Sequence, residues 1–475
     1  MGAARNVAGH LKAKNSLNLP TGEFQISKSL SALLTWVLRY LTSAFAALCL
    51  AACIPKDIAE VPDIVAFPAS STESVTISNN PLSLQNAVRL NILAASDVSA
   101  AALSLRRSIN EITISKAAFY PELYASSAAG TGDGILGNFE LGLRYTLYDF
   151  GARAATLNSV VAAAQSSRFE LVSRIDATSQ DAVAHYIAVA IEDTIAETSE
   201  AYISQIEELR DQVKSRVNIG IASSVDLNEV EAAYLTAQTA LLEARADQEI
   251  ARQALVSKLG FPVVLVWSPE TIKQQLLVSN EQLQSVPDVS SYPRIRALEA
   301  VVAQAEGARK AALAGLLPRI GWSVGAAVGL ERGEGWQKNG VSNGLEISQV
   351  LSLGGGRAEV TANAEIAVVD AQQQLEEERR LLMLEIAQAQ IAQRSSSDAF
   401  AQRERILSLT IQTRDVMATE YLVGSRSLRD LLDAEESIYR ARVSLHEANR
   451  TALLGQLRLL IALNLANELL YELPT

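Results

Sequence analysis

One short pattern occurs twice in this chain, and the spacing between the copies constrains what the rest can fold into. The first copy runs from Val217 through Gly220, Ser223 and Asp226 to Leu227, and the second from Tyr421 through Gly424, Ser427 and Asp430 to Leu431. Gly220 aligns with Gly424, Ser223 with Ser427, Asp226 with Asp430 and Glu231 with Glu435, all at an offset of 204 (424 minus 220). A lone glycine six residues before an Asp is a helix-end signal and little more. Two copies at one offset, each between long Ala/Leu/Glu-rich stretches, read as a duplicated helical hairpin.

The prolines support long helices. None lies between 122 and 261 or between 319 and 473, so two blocks are free of the residue that most strongly breaks a helix. After the junction Asp149-Phe150-Gly151-Ala152-Arg153, nothing interrupts a helix from 153 to about 217. A return helix is expected from Val225 to about Leu259, before Gly260-Phe261-Pro262. The second half repeats this from Arg357 to about 419, then back to about 470. Leu227, Val230, Tyr234, Ala237, Leu241 and Ala244 step by three and four, as do Leu431, Ala434, Ile438, Ala441, Leu445, Ala448, Ala452, Gly455, Leu459 and Ala462. That step marks a coiled-coil seam, and its small residues imply close approach. Shorter helices are expected at about 82–118 and 292–316.

Before each long block the period changes to two. Phe139, Leu141, Leu143, Tyr145 and Leu147 alternate with Asn138, Glu140, Gly142, Arg144 and Thr146 over 138–148. Ile320, Trp322, Val324, Ala326, Val328 and Leu330 alternate with small or polar residues over 319–330. Weaker strands are expected at 343–353, with Leu345, Ile347, Leu351 and Leu353, and at 121–129, with Leu123 and Ala125 on one face. Gly-rich loops at about 130–137 and 331–342 join two strand pairs. Their length of about 9–12 residues suits transmembrane β-strands. A soluble hairpin is the alternative, but it needs a core to pack on, and the flanks offer only helices. Four strands cannot close a barrel, and an open edge in lipid leaves backbone groups unsatisfied. If the strands span a membrane, several chains share one barrel. Two copies give eight strands, whose interior side chains would fill. Three give twelve, which leaves room for a channel.

At the N-terminus, residues 40–52 form an apolar run after Arg39. It is short for a membrane helix and suits a signal segment. It ends Leu50-Ala51-Ala52-Cys53, an order resembling a bacterial lipobox, with Cys53 the lipidated residue; an ordinary signal peptide is the alternative. Ile54, rather than Asp, after Cys53 points by the same resemblance to the outer membrane. The leader is long, and a start later than Met1 is one expectation. The expected organisation is a leader over 1–52, a lipidated Pro/Ser/Thr-rich linker over 53–81, a first repeat over 82–290 and a second over 291–475.

Composition narrows the function classes. The net charge is −12 with no dense Lys/Arg stripe, which argues against a nucleic-acid surface. Cys49 and Cys53 with the scattered His10, His185 and His446 do not make a metal-ligand set. The triple glycine Gly354-Gly355-Gly356 lacks the Lys and Ser of a phosphate loop. No catalytic constellation, cofactor site or metal site is expected, and the chain reads as no enzyme.

The duplicated helix–strand–strand–helix order, the Leu147-Tyr148-Asp149-Phe150-Gly151 and Leu351-Ser352-Leu353-Gly354-Gly355 junctions, and the two Gly…Asp-Leu turns together resemble the TolC-like outer-membrane efflux proteins over residues 82 to about 470. The resemblance implies a mainly α fold, long antiparallel helical hairpins forming an α-barrel, and four strands per chain in a shared 12-stranded trimeric β-barrel. It implies a homotrimeric exit duct in the outer membrane, working with a periplasmic adaptor and an inner-membrane pump in efflux or type I secretion. Carried over by residue, Asp430 and Asp433 are the aperture acids, and Tyr421, Arg426 and Asp226 make the closing contacts. Val225 stands where the family often has a small hydroxyl residue. Gly220, Ile221 and Ser223, with Gly424, Ser425 and Ser427, are the expected adaptor-docking tips. Asp430 and Asp433 share a helix face, so three copies would gather a carboxylate ring, partly protonated and partly neutralised by Arg426. Helix-dipole stabilisation alone is the competing reading of these acids. Glu231 and Glu435 read as solvated surface acids. A periplasmic coiled-coil adaptor or scaffold without a pore is the rival function; it would carry a lipoyl-like β domain, and none is visible.

Overall fold

The computed structural model describes residues 84–129, 135–259, 269–276, 288–331, 335–350 and 356–465. The expected leader, Cys53, its linker and the Gly260-Phe261-Pro262 stop lie outside these residues. In chain order the elements are α1 (Leu84–Ala94), α2 (Ser96–Ala117), β1 (Glu122–Ala129), β2 (Ile135–Tyr148), α3 (Ala152–Asn218), α4 (Ser224–Leu259), α5 (Pro269–Gln275), a 3-10 turn (Val289–Ser291), α6 (Pro293–Ala314), β3 (Arg319–Glu331), β4 (Gly335–Ser348), α7 (Arg357–Leu422) and α8 (Leu428–Ala462). The described residues divide into a strand unit, Leu123–Arg144 with Ser323–Gly344, and a helical unit that holds the rest.

The strand unit is an antiparallel sheet in the order β1-β2-β3-β4. The alternation sorts its faces as expected. Leu123 and Phe139 are exposed on the apolar side. On the other side the Tyr124 hydroxyl donates to Glu140 Oε1 at 2.8 Å, and the Arg144 guanidinium lies 5.1 Å from the Tyr124 ring centre. β4 is longer than expected: it begins at Gly335 instead of 343 and ends at Ser348. Its first residues, Gly335 to Ser342, carry little apolar alternation. Backbone pairing to β3 holds them in the ladder without a buried face to announce them.

In the helical unit, α3 has 67 residues and α7 has 66, each about 100 Å long at ~1.5 Å per residue. Both follow a left-handed glycine, Gly151 (φ 84°) and Gly356 (φ 90°), where a side chain would be strained. The Arg two residues after Gly151 and the one directly after Gly356 tie the helix start to an earlier helix end. Arg153 Nη1 donates to Ala118 O at 3.1 Å and Arg357 Nη2 to Gly315 O at 2.7 Å. Asp149 is buried and accepts from Arg153 Nε at 2.7 Å and from the backbone N–H groups of Gly151 and Arg153.

The helix expected over 82–118 is two helices. Ala95 is extended (φ −70°, ψ 121°), and the axes bend by 60° there. The bend lays Leu84, Ala87, Val88 and Ile92 into the main core with Ile175, Val183, Tyr186 and Ile187 of α3, Leu255 and Leu259 of α4, and Leu457 and Leu460 of α8. That burial outweighs the single interrupted turn. The unforeseen α5 puts Ile272 into the same core, with Leu276 just after it. The seam positions Val230, Ala237 and Ala244 of α4 and Leu431, Ala434, Ile438, Gly455, Leu459 and Ala462 of α8 are buried. Among the described residues no single helix is long and apolar enough to cross a membrane.

Candidate functional site

The two repeated turns have the same construction, and the pattern is explained atom by atom. In the first, Gly220 sits at φ 77°, Ile221 N donates to Arg216 O at 2.8 Å and Gly220 N to Val217 O at 3.0 Å. In the second, Gly424 sits at φ 81°, Ser425 N donates to Glu420 O at 2.9 Å and Gly424 N to Tyr421 O at 3.1 Å. This is the Schellman ending, which needs a left-handed residue just past the helix. Three residues later each chain turn becomes a capping box. Asp226 N donates to Ser223 Oγ at 3.1 Å and Ser223 N to Asp226 Oδ2 at 2.8 Å. Asp430 N donates to Ser427 Oγ at 3.2 Å, and Ser427 N and Oγ donate to Asp430 Oδ2 at 3.3 and 2.8 Å. The Ser satisfies one orphan N–H of the new helix and the Asp reaches back to the other.

One apolar core holds the tips of both hairpins. Tyr202, Ile206, Leu209 and Val213 of α3, Val230 and Ala237 of α4, and Leu428, Leu431 and Leu432 of α8 are buried together, with Ala418 and Tyr421 of α7 packed against them. Tyr202 stacks on Tyr439 with centroids 4.5 Å apart. Burial presses the Tyr202 hydroxyl up to about 12. Outside this core, Ile219, Ile221, Val225, Leu422 and Val423 are exposed, an apolar rim on both turns.

Within one chain the residues expected to gate the tip have partners of their own. Asp226 and Asp430 are occupied by their own caps. The Ser427 side chain, then its backbone N–H, holds the Asp430 carboxyl below its ordinary value. Arg426 donates from Nε to Glu420 Oε2 at 2.8 Å and acts on Asp430 only as a weaker, more distant charge. Tyr421 lies under Arg216, 4.9 Å from ring centre to guanidinium, and forms no hydrogen bond with Asp226. Asp433 is exposed. A second contact between the hairpins joins Arg429 to Glu229 at 4.0 Å.

Sequence reasoning missed Arg216, Glu420, Arg429 and Glu229, since a helix-end cation or acid reads as a solvated residue. It also misplaced Glu435. This side chain is 12% exposed, paired with Arg414 Nη1 at 3.4 Å, and burial raises its pKa; only Glu231 is solvent-exposed. The repeat held a usable signal. Arg210 and Arg414 share the 204 offset, and Arg210 stacks over Tyr234 at 4.2 Å, so both copies place an Arg from the outgoing helix against the return helix. Among the described residues no cluster of His, Cys, Asp and Glu could hold a metal ion.

Long helical hairpins with cored tips, and a four-stranded amphipathic sheet with two free edges, are the parts of a membrane channel. The chain belongs to the outer membrane efflux protein family, whose sequence description matches residues 90–260 and 290–465. It is similar to the outer membrane efflux protein BepC of Brucella suis, 26% identical over 376 residues that cover 74% of this chain and 78% of the relative. Its fold resembles the crystal structure of CusC, with a TM-score of 0.68 at 17% identity over 80% of this chain and 91% of that one. It also resembles the open-state outer membrane channel MtrE of Neisseria gonorrhoeae, with a TM-score of 0.63 at 20% identity over 80% and 88%. The protein is an outer-membrane efflux channel, of a family of channels rather than enzymes. The adaptor or scaffold reading is thereby set aside.

Proposed function

We propose that three copies assemble into the exit duct of a tripartite efflux or type I secretion system, opened at its helical tip by a periplasmic adaptor and an inner-membrane pump. The observation that carries this is the sheet: β1 and β4 are its outer strands, and both edges require partners before the strands can sit in lipid. Three copies pair every edge and leave a lumen. The apolar rim of Ile219, Ile221, Leu422 and Val423, with Gly220, Ser223, Gly424, Ser425 and Ser427 shaping it, is the adaptor-docking surface. Cys53 is the lipid anchor, and loss of membrane retention in Cys53→Ala tests it.

In the assembled duct Asp433 is the aperture acid, with Asp430 beside it. Since Asp430 also caps α8, Asp433→Ala is the cleaner test. Planar-bilayer recordings of the purified protein should show cation-selective channels whose block by divalent cations weakens in Asp433→Ala. Unchanged block and selectivity would remove Asp433 from the aperture. The pump and adaptor genes encoded beside this one would indicate the cargo.

A further inference from the structure

On the polar side of the strand unit, one side chain occupies a seat built for it. Tyr124 is the residue of β1 that is not fully exposed. Its ring reaches across β2 to β3 over two glycines. A Cβ at Gly142 would lie 2.6 Å from the Tyr124 hydroxyl and 2.7 Å from its ring carbon Cζ. A Cβ at Gly325 would lie 3.3 Å from the same hydroxyl, 3.1 Å from Glu140 Oε1 and 3.3 Å from Ser342 Oγ. The first separation is one that no real side chain tolerates, so Gly142 is required for the ring to lie flat. The seat is closed at both ends of the β2 face. Glu140 accepts the hydroxyl at 2.8 Å, and Arg144, on the other side of Gly142, holds its guanidinium 5.1 Å from the ring centre. Acid, glycine and base occupy alternate positions of β2 and so share one face.

A tyrosine in an alternating strand ordinarily stands off the sheet. Here two strands, β2 and β3, supply an acceptor, a cation and two missing side chains, and all of them draw the ring down. A charged pair does not face lipid without severe cost, so the polar side faces the lumen of the shared barrel. We propose that Tyr124 is a retracted side chain that keeps the strand-lined lumen clear, and that its release would narrow the duct and lower the size of solute that enters it from outside. This rests on the trimeric duct reading, in which each copy contributes one such ring.

The test measures the bore next to the outer chamber. Polyethylene glycols of increasing size are added on that side only, to single channels of the full-length protein. The largest polymer that still enters reports the near segment, whatever the constriction at the far end. In Gly325→Val the added methyl groups meet only side-chain ends, so strand pairing is kept while the ring is lifted; the size limit should fall. Tyr124→Ala alone should leave the limit at or slightly above wild type, because the ring already lies against the wall. The double variant Gly325→Val/Tyr124→Ala should restore it. Glu140→Ala and Glu140→Ala/Tyr124→Ala provide the same pair through the other end of the seat, should Gly325→Val fail to assemble. A limit unmoved in both Gly325→Val and Glu140→Ala, or double variants as narrow as those two, would overturn the proposal. Wild-type protein forming no channels would instead overturn the duct reading.

Discussion

At the tips, Gly424 and Ser427 serve different ends of different helices. Gly424 has open space around its missing Cβ, so Gly424→Ala meets no clash and suffers only the left-handed backbone, a loss of about 1 kcal/mol. Ser427→Ala removes the acceptor for Asp430 N–H and should cost about 1 kcal/mol by loss of the cap. Denaturant unfolding of the detergent-solubilised protein measures both, and near-zero effects would mean that the turn is held by packing alone. Asp430's lowered pKa adds a pH term. Its stabilisation is present above the ordinary carboxylate value and is lost as pH falls through the lower folded value. His446 behaves in the same sense for a different reason. It is half-buried beside Thr198, with Nε2 3.1 Å from Oγ1. Burial, helped by Arg442 and opposed by Glu270, lowers its pKa below the ordinary 6.5. The unfolded chain therefore takes the proton first, and stability falls as pH drops below about 6.5 until the folded value is passed. Thermal melts from pH 7.5 to about 5 should decline less steeply in His446→Asn; identical slopes would show that His446 contributes nothing.

The helices approach one another through small residues, as at Gly307 of α6. A Cβ there would sit 2.8 Å from Ser159 N and 2.9 Å from Ser159 Cα, both α3 backbone. Ser159 Oγ already donates to Gln304 O at 2.9 Å across the same crossing. Backbone cannot rotate aside as a side chain can, so Gly307→Ala should push the helices apart at a cost of about 1–3 kcal/mol. Unchanged stability would mean that α6 shifts freely on α3. The seam on α8 was legible because its apolar positions recur every three and four residues over the whole helix. The break at Ala95 was not. Alanine is the best helix former, and the chain bends there only because α1 has a core to enter.

For the molecule as a whole, the free edges of β1 and β4 are where the proposed trimer joins its copies. Cysteines at Ser126 of β1 and Ser342 of β4 should join neighbouring copies with a short thiol cross-linker, giving bands of up to three chains on denaturing gels. Bands limited to one chain, or a ladder beyond three, would contradict a closed trimer. The same edges explain why no membrane-crossing helix is needed. Strands of about ten residues, tilted and paired around a ring, satisfy every backbone group in lipid.

Periodicity determined a great deal here: the duplication, the hairpins, the strand pairs and the turns follow from where Gly, Pro and apolar residues fall, because those residues act on their own backbone or their own face. The capping roles of the Ser and Asp in each turn come only from the structure, where each pair exchanges hydrogen bonds. What the tertiary structure decided is which polar side chains meet. Glu435 is buried against Arg414 while its repeat partner Glu231 faces solvent. Arg426 turns to Glu420 rather than to Asp430, and Tyr124 lies down over Gly142 and Gly325. Each depends on the rotation of one element against another, which a hydrophobic pattern fixes only to within a face, whereas an ion pair or a seated ring is decided at the scale of a single ångström.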